Sequence, residues 1–233
     1  MTQALSQPRK KQPARRQSDS PLDDIQHIVL EDATWELYEQ LLREIGDRPI
    51  RINYDQGRLE MMSPLPEHEE VKGIIGRLIR ELTVSLNIEI KSLGSTTFRR
   101  RDKAKGLEPD ECYYFKNEKK MRGRKRLNLR IDPPPELVVE IDITHRSVER
   151  EPIYAALGVP EIWRWDGTKL ECLELASNVY RLRTRSLVFP FLAPADLTRF
   201  IRMRTRTGEN AIIRKFRDWV RANGWSDENS PTS

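Results

Sequence analysis

The segment Leu137-Val138-Val139-Glu140-Ile141-Asp142 constrains the chain most. Its three leading apolar residues suit a strand covered on both faces, as in a sheet with a helical layer on each side. Two carboxylates then appear near its end. Alternate strand residues point the same way, so Glu140 and Asp142 share one face. A carboxylate there is costly to bury unless it is paired or holds a metal. The alternatives are a strand end that emerges into solvent, or a pair with a nearby Arg.

Helical and extended patterns alternate around this segment. Asp32-Ala33-Thr34 caps a helix carrying Trp35, Leu37, Tyr38, Leu41, Leu42 and Ile45, with Gly46 placed to end it. Residues 50–54 and 58–62 flank Asp55-Gln56-Gly57 as a hairpin. Pro66 opens a helix with one apolar stripe, Val71, Ile74, Ile75, Leu78, Ile79 and Leu82. Strands are expected at 88–90, 96–98, 112–115, 136–142, 161–166 and 169–175. Helices are expected at 149–157 and 209–222, the first ended by Gly158. The pattern predicts an α/β fold, a mixed central sheet flanked by helices. It spans 24–224, between a basic tail (1–23) with too little apolar content to fold and a frayed end (225–233).

Composition excludes several classes. No apolar run approaches the ~18 residues of a membrane-spanning helix. The N-terminus lacks the apolar region of a secretory signal. Two cysteines, Cys112 and Cys172, build neither a disulfide framework nor a zinc cage. The expectation is a cytoplasmic protein with no membrane partner. The net charge of +5 is modest but unevenly placed. Residues 99–130 hold thirteen Lys or Arg against five Asp or Glu, and 181–221 hold eleven against three. Such faces attract a polyanion, or are simply solvated. The basic tail is open to the same two readings.

Glu108-Pro109-Asp110 is a second clue. Pro109 presets the backbone, and Asp110 opens the extended stretch 112–115. Taken alone, Pro-Asp is an ordinary turn pair.

Taken together, an acid after Pro, some thirty residues, then a hydrophobic strand ending in an acid-x-charged triplet resemble the active-site hairpin of PD-(D/E)xK nucleases. More closely, the chain resembles the Uma2 family of restriction-endonuclease-like proteins over about Trp35 to Leu175. The carriers are GRLEMMSP (57–64) followed by His68, Glu108-Pro109-Asp110, PELVVEID (135–142) and YAALGVPEIW (154–163). The resemblance implies a restriction-endonuclease-like fold and a Mg²⁺-dependent endonuclease, with Mn²⁺ as the substitute ion. Asp110 and Glu140 would hold the metal, since hard carboxylate oxygens suit Mg²⁺. The ion would polarise the phosphoryl oxygen and acidify an attacking water. Glu69 or Glu70 would complete the shell and His68 would orient water or substrate. His68 also suits a surface or capping role, and Glu60 an exposed strand position.

One departure matters. The triplet of this superfamily ends in Lys, and here that position is Asp142. Either Asp142 serves as a third metal ligand or the protein is catalytically weakened. Arg146 and Arg150 are cationic candidates for the missing role, able to clamp charge but not to deprotonate. Three functions follow: an endonuclease on DNA, working as a symmetric homodimer to cut both strands; a nucleic-acid-binding protein that lost catalysis; or a structural or partner-binding protein.

Overall fold

The computed structural model describes residues 27–143 and 149–225. The expected basic tail, Arg146 and the last eight residues lie outside them. In chain order the elements are β1 (His27–Leu30), α1 (Trp35–Ile45), β2 (Arg51–Asp55), β3 (Arg58–Met62), α2 (Pro66–Ser85), β4 (Lys91–Ser92), β5 (Phe98–Arg100), β6 (Lys105–Leu107), β7 (Glu111–Tyr114), α3 (Glu118–Met121), β8 (Leu137–Ile141), α4 (Glu151–Leu157), β9 (Glu161–Trp165), β10 (Leu170–Ala176), β11 (Val179–Arg183), α5 (Pro194–Ile201) and α6 (Glu209–Ala222). Short 3₁₀ turns cover Arg101–Lys103 and Arg202–Thr205.

The strands form two sheets, ordered β1-β3-β2-β6-β5 and β11-β10-β9-β8-β7-β4. The six-stranded sheet is the expected mixed one. Its β8–β9 pair is parallel and bridged by α4, while β7–β8 is antiparallel. This α/β architecture is restriction-endonuclease-like. Every residue of β8 is buried. Leu137, Val139 and Ile141 face a core shared with α2, α5 and α6. Val138 faces the opposite core, with Ile153, Tyr154 and Leu157 of α4. By alternation Glu140 shares the α4 face. The apolar run at 137–139 therefore reports a strand covered on both faces.

Local chemistry explains the borders. Leu37 N–H donates to Thr34 Oγ1 at 3.1 Å, and Gly46 ends α1 at φ 55°. The β2–β3 turn places Gln56 and Gly57 at φ 49° and 102°, the two positive angles a tight hairpin needs. The stripe of α2 is fully sequestered, from Val71 to Leu82. α6 docks on α2 through Arg217 to Glu81 at 2.6 Å and Arg77 to Glu209 at 2.7 Å. Residues 88–90 are not a strand. Pairing begins at Lys91, opposite Tyr114, because β7 is only four residues long and ends there. Of the five-stranded sheet the β2–β3 hairpin is the expected one, while β1 and β6 have no counterpart in the periodicity, since both are short and β6 contains Gly106. No helix among the described residues is long and apolar enough to cross a membrane. Both cysteines are buried, and burial pushes the Cys112 thiol up to about 12.

α1 packs on the five-stranded sheet through Trp35 and Tyr38 against Ile52, Tyr54 and Leu59, with the Tyr38 and Tyr54 rings stacked at 5.2 Å. Gly106 is required there by space: a Cβ would lie 2.6 Å from Tyr38 Cζ. Gly106→Ala is expected to cost about 1–3 kcal/mol, read as a lower urea midpoint at unchanged m-value.

Candidate active site

The β7–β8 register pairs Glu111 with Val139 and Cys112 with Val138. Continued by one residue, it sets Asp110 opposite Glu140, on the same face of the sheet. The two acids that stand thirty residues apart thus meet across one strand pair. Both are buried, Asp110 at 0% and Glu140 at 1% exposure.

Asp110 is held from three directions. Ile141 N–H donates to Oδ2 at 2.6 Å. His68 Nε2 lies 3.0 Å from the same oxygen. Arg51 Nη1 lies 2.7 Å from Oδ1, but donates its hydrogen bond to Pro109 O at 2.9 Å. Oδ1 therefore has a charge partner and no hydrogen bond. Burial pushes the Asp110 carboxyl up. The His68 hydrogen bond and the charges of Arg51, His68 and Arg150 outweigh it and hold the group well below the usual carboxylate range.

Glu140 accepts from Arg150 Nη1 and from Tyr154 O–H, both buried with it. Arg150 stands at the start of α4, and its Nη2 reaches Met62 Sδ on β3 at 3.2 Å. Burial alone would lower the guanidinium, yet Glu140 and Asp110 raise it, so it stays charged. Burial and the Glu140 charge push the Tyr154 phenol well above its ordinary value, so it stays a donor. Glu60 is buried as well, accepting from Asn53 Nδ2 at 2.9 Å with His27 Nε2 at 2.8 Å. This is not the exposed strand position that its sequence also suited. His68 is likewise buried rather than a surface residue.

Glu69 borders these residues, its Oε1 3.3 Å from His68 Nδ1. Glu69 is half exposed, with Lys72 at 3.0 Å and Arg51 at 3.5 Å. Partial burial raises its carboxyl, but the Lys72 hydrogen bond and the charges of Lys72, Arg51 and His68 bring it below its ordinary value. Glu70 lies 3.6 Å from Arg204. Asp142 lines a cleft of about 590 Å³ with Glu149, Glu151 and Arg164. Its N–H donates to Trp165 O at 2.7 Å. The structure thus brings Asp110, Glu140, His68, Glu69 and Arg150 together. Arg51, Asn53 and Tyr154 were not anticipated. Signals for two of them existed: Arg51 interrupts an apolar strand, and Tyr154 follows Arg150 by one helical turn.

Among the described residues, three buried carboxylates (Glu60, Asp110, Glu140) stand with two buried guanidiniums (Arg51, Arg150). Among the described residues no three His, Cys, Asp or Glu side chains converge as a metal cluster. The donors still fit a hard divalent cation. Asp110 and Glu140 supply carboxylate oxygens on one face, Asp110 Oδ1 lacks a hydrogen bond, and Mg²⁺ commonly takes one or two carboxylates and keeps its waters.

Residues 35–200 match the model of the family described as "Uma2: Putative restriction endonuclease". No curated protein matches the chain.

The depressed Asp110 carboxyl makes stability depend on pH. Its contribution is complete above the unfolded carboxyl value, ~3.9, and drains away as pH falls below that toward the folded value. Urea denaturation at descending pH is expected to show this loss. Asp110→Asn removes the carboxylate charge that faces Arg51 and His68. It is expected to cost about 3–5 kcal/mol at neutral pH and to flatten the acid limb.

Proposed function

The chain belongs to the Uma2 family, and from that premise we propose that it is an endonuclease that hydrolyses DNA phosphodiester bonds with a divalent cation, Mg²⁺ or Mn²⁺. The observation that carries this reading is the pairing of Asp110 with Glu140 on one face of the β7–β8 hairpin, with Asp110 Oδ1 free of hydrogen bonds. Asp110 and Glu140 are the residues that would hold the ion. When bound, it would supply Lewis-acid polarisation of the phosphoryl group and a more acidic water.

The remaining roles belong to the chain itself. His68 and Ile141 N–H fix the Asp110 rotamer through Oδ2, and Arg51 lies 2.7 Å from Oδ1. Arg150 takes the cationic place that Asp142 cannot fill. It fixes Glu140 and offers a permanent charge to a phosphate, but it cannot serve as a base. Tyr154 orients the second Glu140 oxygen as a fixed donor. Asp142 would repel a phosphate, and Arg164, lining the same cleft, offsets its charge. Cleavage of both strands would use a symmetric homodimer.

A second reading, a nucleic-acid-binding protein without catalysis, is favoured by one observation. Both Glu140 oxygens already accept bonds, from Arg150 and Tyr154, so an ion must share that carboxylate.

The test is nicking of supercoiled plasmid by the full chain with Mg²⁺ or Mn²⁺. Asp110→Asn and Glu140→Gln are expected to reduce nicking to background while circular dichroism stays native. Arg150→Lys is expected to keep more activity than Arg150→Gln. Salt-sensitive DNA binding with no nicking in any metal would establish the second reading instead.

A further inference from the structure

The acids lie at one rim of the six-stranded sheet, where parallel β8 and β9 both end. The β9–β10 turn, Asp166 to Lys169, leaves from this rim. Asp166 shapes it by accepting from Thr168 N–H and Lys169 N–H, each at 2.8 Å. The Arg202–Thr205 turn after α5 packs against it, with Arg202 Nε donating to Thr168 O at 2.8 Å. Arg204 points the other way, to Glu67 at 2.6 Å in the first turn of α2, one residue from His68. One continuous rim therefore joins the acid pair, the start of α2 and this arginine-rich turn.

Two adjoining cavities open on the turn. One, about 390 Å³, is lined by Arg199, Arg202, Met203, Thr205, Arg206 and Thr207. The other, about 500 Å³, shares Arg199 and Arg202 and adds Lys169. Neither is lined by an acidic residue among those described. Many of the described arginines sit in ion pairs, Arg77, Arg204 and Arg217 among them. Arg199, Arg202 and Arg206 have no carboxylate within 4.0 Å among the described residues, although all three are exposed. Lys169 does have one, Glu171 at 2.8 Å. Arg199 is held over Phe200 and Trp219, at 4.7 and 4.6 Å from the ring centres, and Arg202 is held by Thr168 O. These are preorganised cations whose charge is unspent, and so give up little side-chain freedom on meeting an anion.

Resting on the endonuclease reading, we infer that this cleft is where the chain grips the phosphodiester backbone of duplex DNA beside the acid pair. A run of phosphates matches the residue types: guanidinium forks for paired phosphate oxygens and threonine hydroxyls as further donors. The location also answers an electrostatic need. Asp142, Glu149 and Glu151 put negative charge near the same rim and repel a polyanion. Fixed positive charge a short way along the rim offsets that repulsion. Arg202 and Arg206 lie beyond residue 200, where the family match ends, so this grip is a feature of the chain's own C-terminal part. The other basic stretch contributes differently, because α3 follows the far end of β7 and places Lys119 and Lys120 away from this rim.

The experiment is fluorescence anisotropy of a short labelled DNA duplex with the full chain, in EDTA so that no cleavage occurs, across a salt series. The paired change Arg202→Gln with Arg206→Gln is expected to weaken binding roughly tenfold or more near 0.1 M salt. It should also make the plot of log K against log salt shallower by about 2, the loss of two phosphate contacts. Arg202→Lys with Arg206→Lys should retain most of the salt slope. Lys119→Gln with Lys120→Gln should leave affinity unchanged. Circular dichroism confirms that each variant is folded. Wild-type affinity in the Arg-to-Gln variant, an equal loss from the Lys119 and Lys120 changes, or no duplex binding by the unaltered chain would overturn the inference. Loss of binding as expected, with no plasmid nicking by the unaltered chain in any metal, would support this surface while removing the endonuclease reading.

Discussion

A carboxylate pair buried on adjacent strands obliges the surrounding chain to compensate it. Asp110 and Glu140 oppose each other across β7 and β8 with almost no exposure to water. Left alone, each would lose its charge. The compensation arrives from four elements: Arg51 from β2, His68 from α2, Arg150 and Tyr154 from α4, and the backbone of β8 itself. The mutual placement of the two sheets and two of the helices is therefore tied to one pair of acids. Removing either partner of such a cluster costs more than the bond it made, because the remaining charge stays buried.

The fold serves this arrangement by covering β8 on both sides. α2, α5 and α6 take one face and α4 the other. That cover keeps water away and strengthens each charge–charge interaction inside. It also ends where the acids begin. The apolar residues of β8 fill the middle of the sheet, and its polar residues lie where two strands finish at the same rim. Ligand sites of α/β sheets often gather at such strand ends.

Charge is distributed by the same economy. Arginines that face carboxylates on neighbouring elements act as braces: Arg217 on Glu81, Arg77 on Glu209 and Arg204 on Glu67 fasten the C-terminal residues to α2. Arg199, Arg202 and Arg206 of the same segment face solvent and have no such partner among the described residues. A stretch that reads in sequence as one uniform basic run is thus divided by the fold into structural and available cations. The residue in the usual Lys position of the triplet is an acid, and the buried cation beside Glu140 comes from the next helix instead.

Much of the fold was legible from residue order. The α1 cap at Thr34, the Gln56-Gly57 hairpin, the α2 stripe, the covered strand at 137–141 and α6 all rest on interactions within a few residues, which periodicity and turn chemistry report directly. Glu140 drew notice because a buried strand that carries acids needs a reason, and Asp110 through the resemblance to the Uma2 family. Of the second sheet the β2–β3 hairpin was legible and the strand expected at 96–98 forms at Phe98–Arg100, but β1 and β6 are too short to show a period and exist only by pairing. Nor were the partners Arg51 and Tyr154 legible. The local pattern determined which segments become helix or strand and which way each side chain faces. Only the tertiary structure decided which charges meet, because burial and charge pairing depend on distances in space between residues that lie tens of positions apart along the chain.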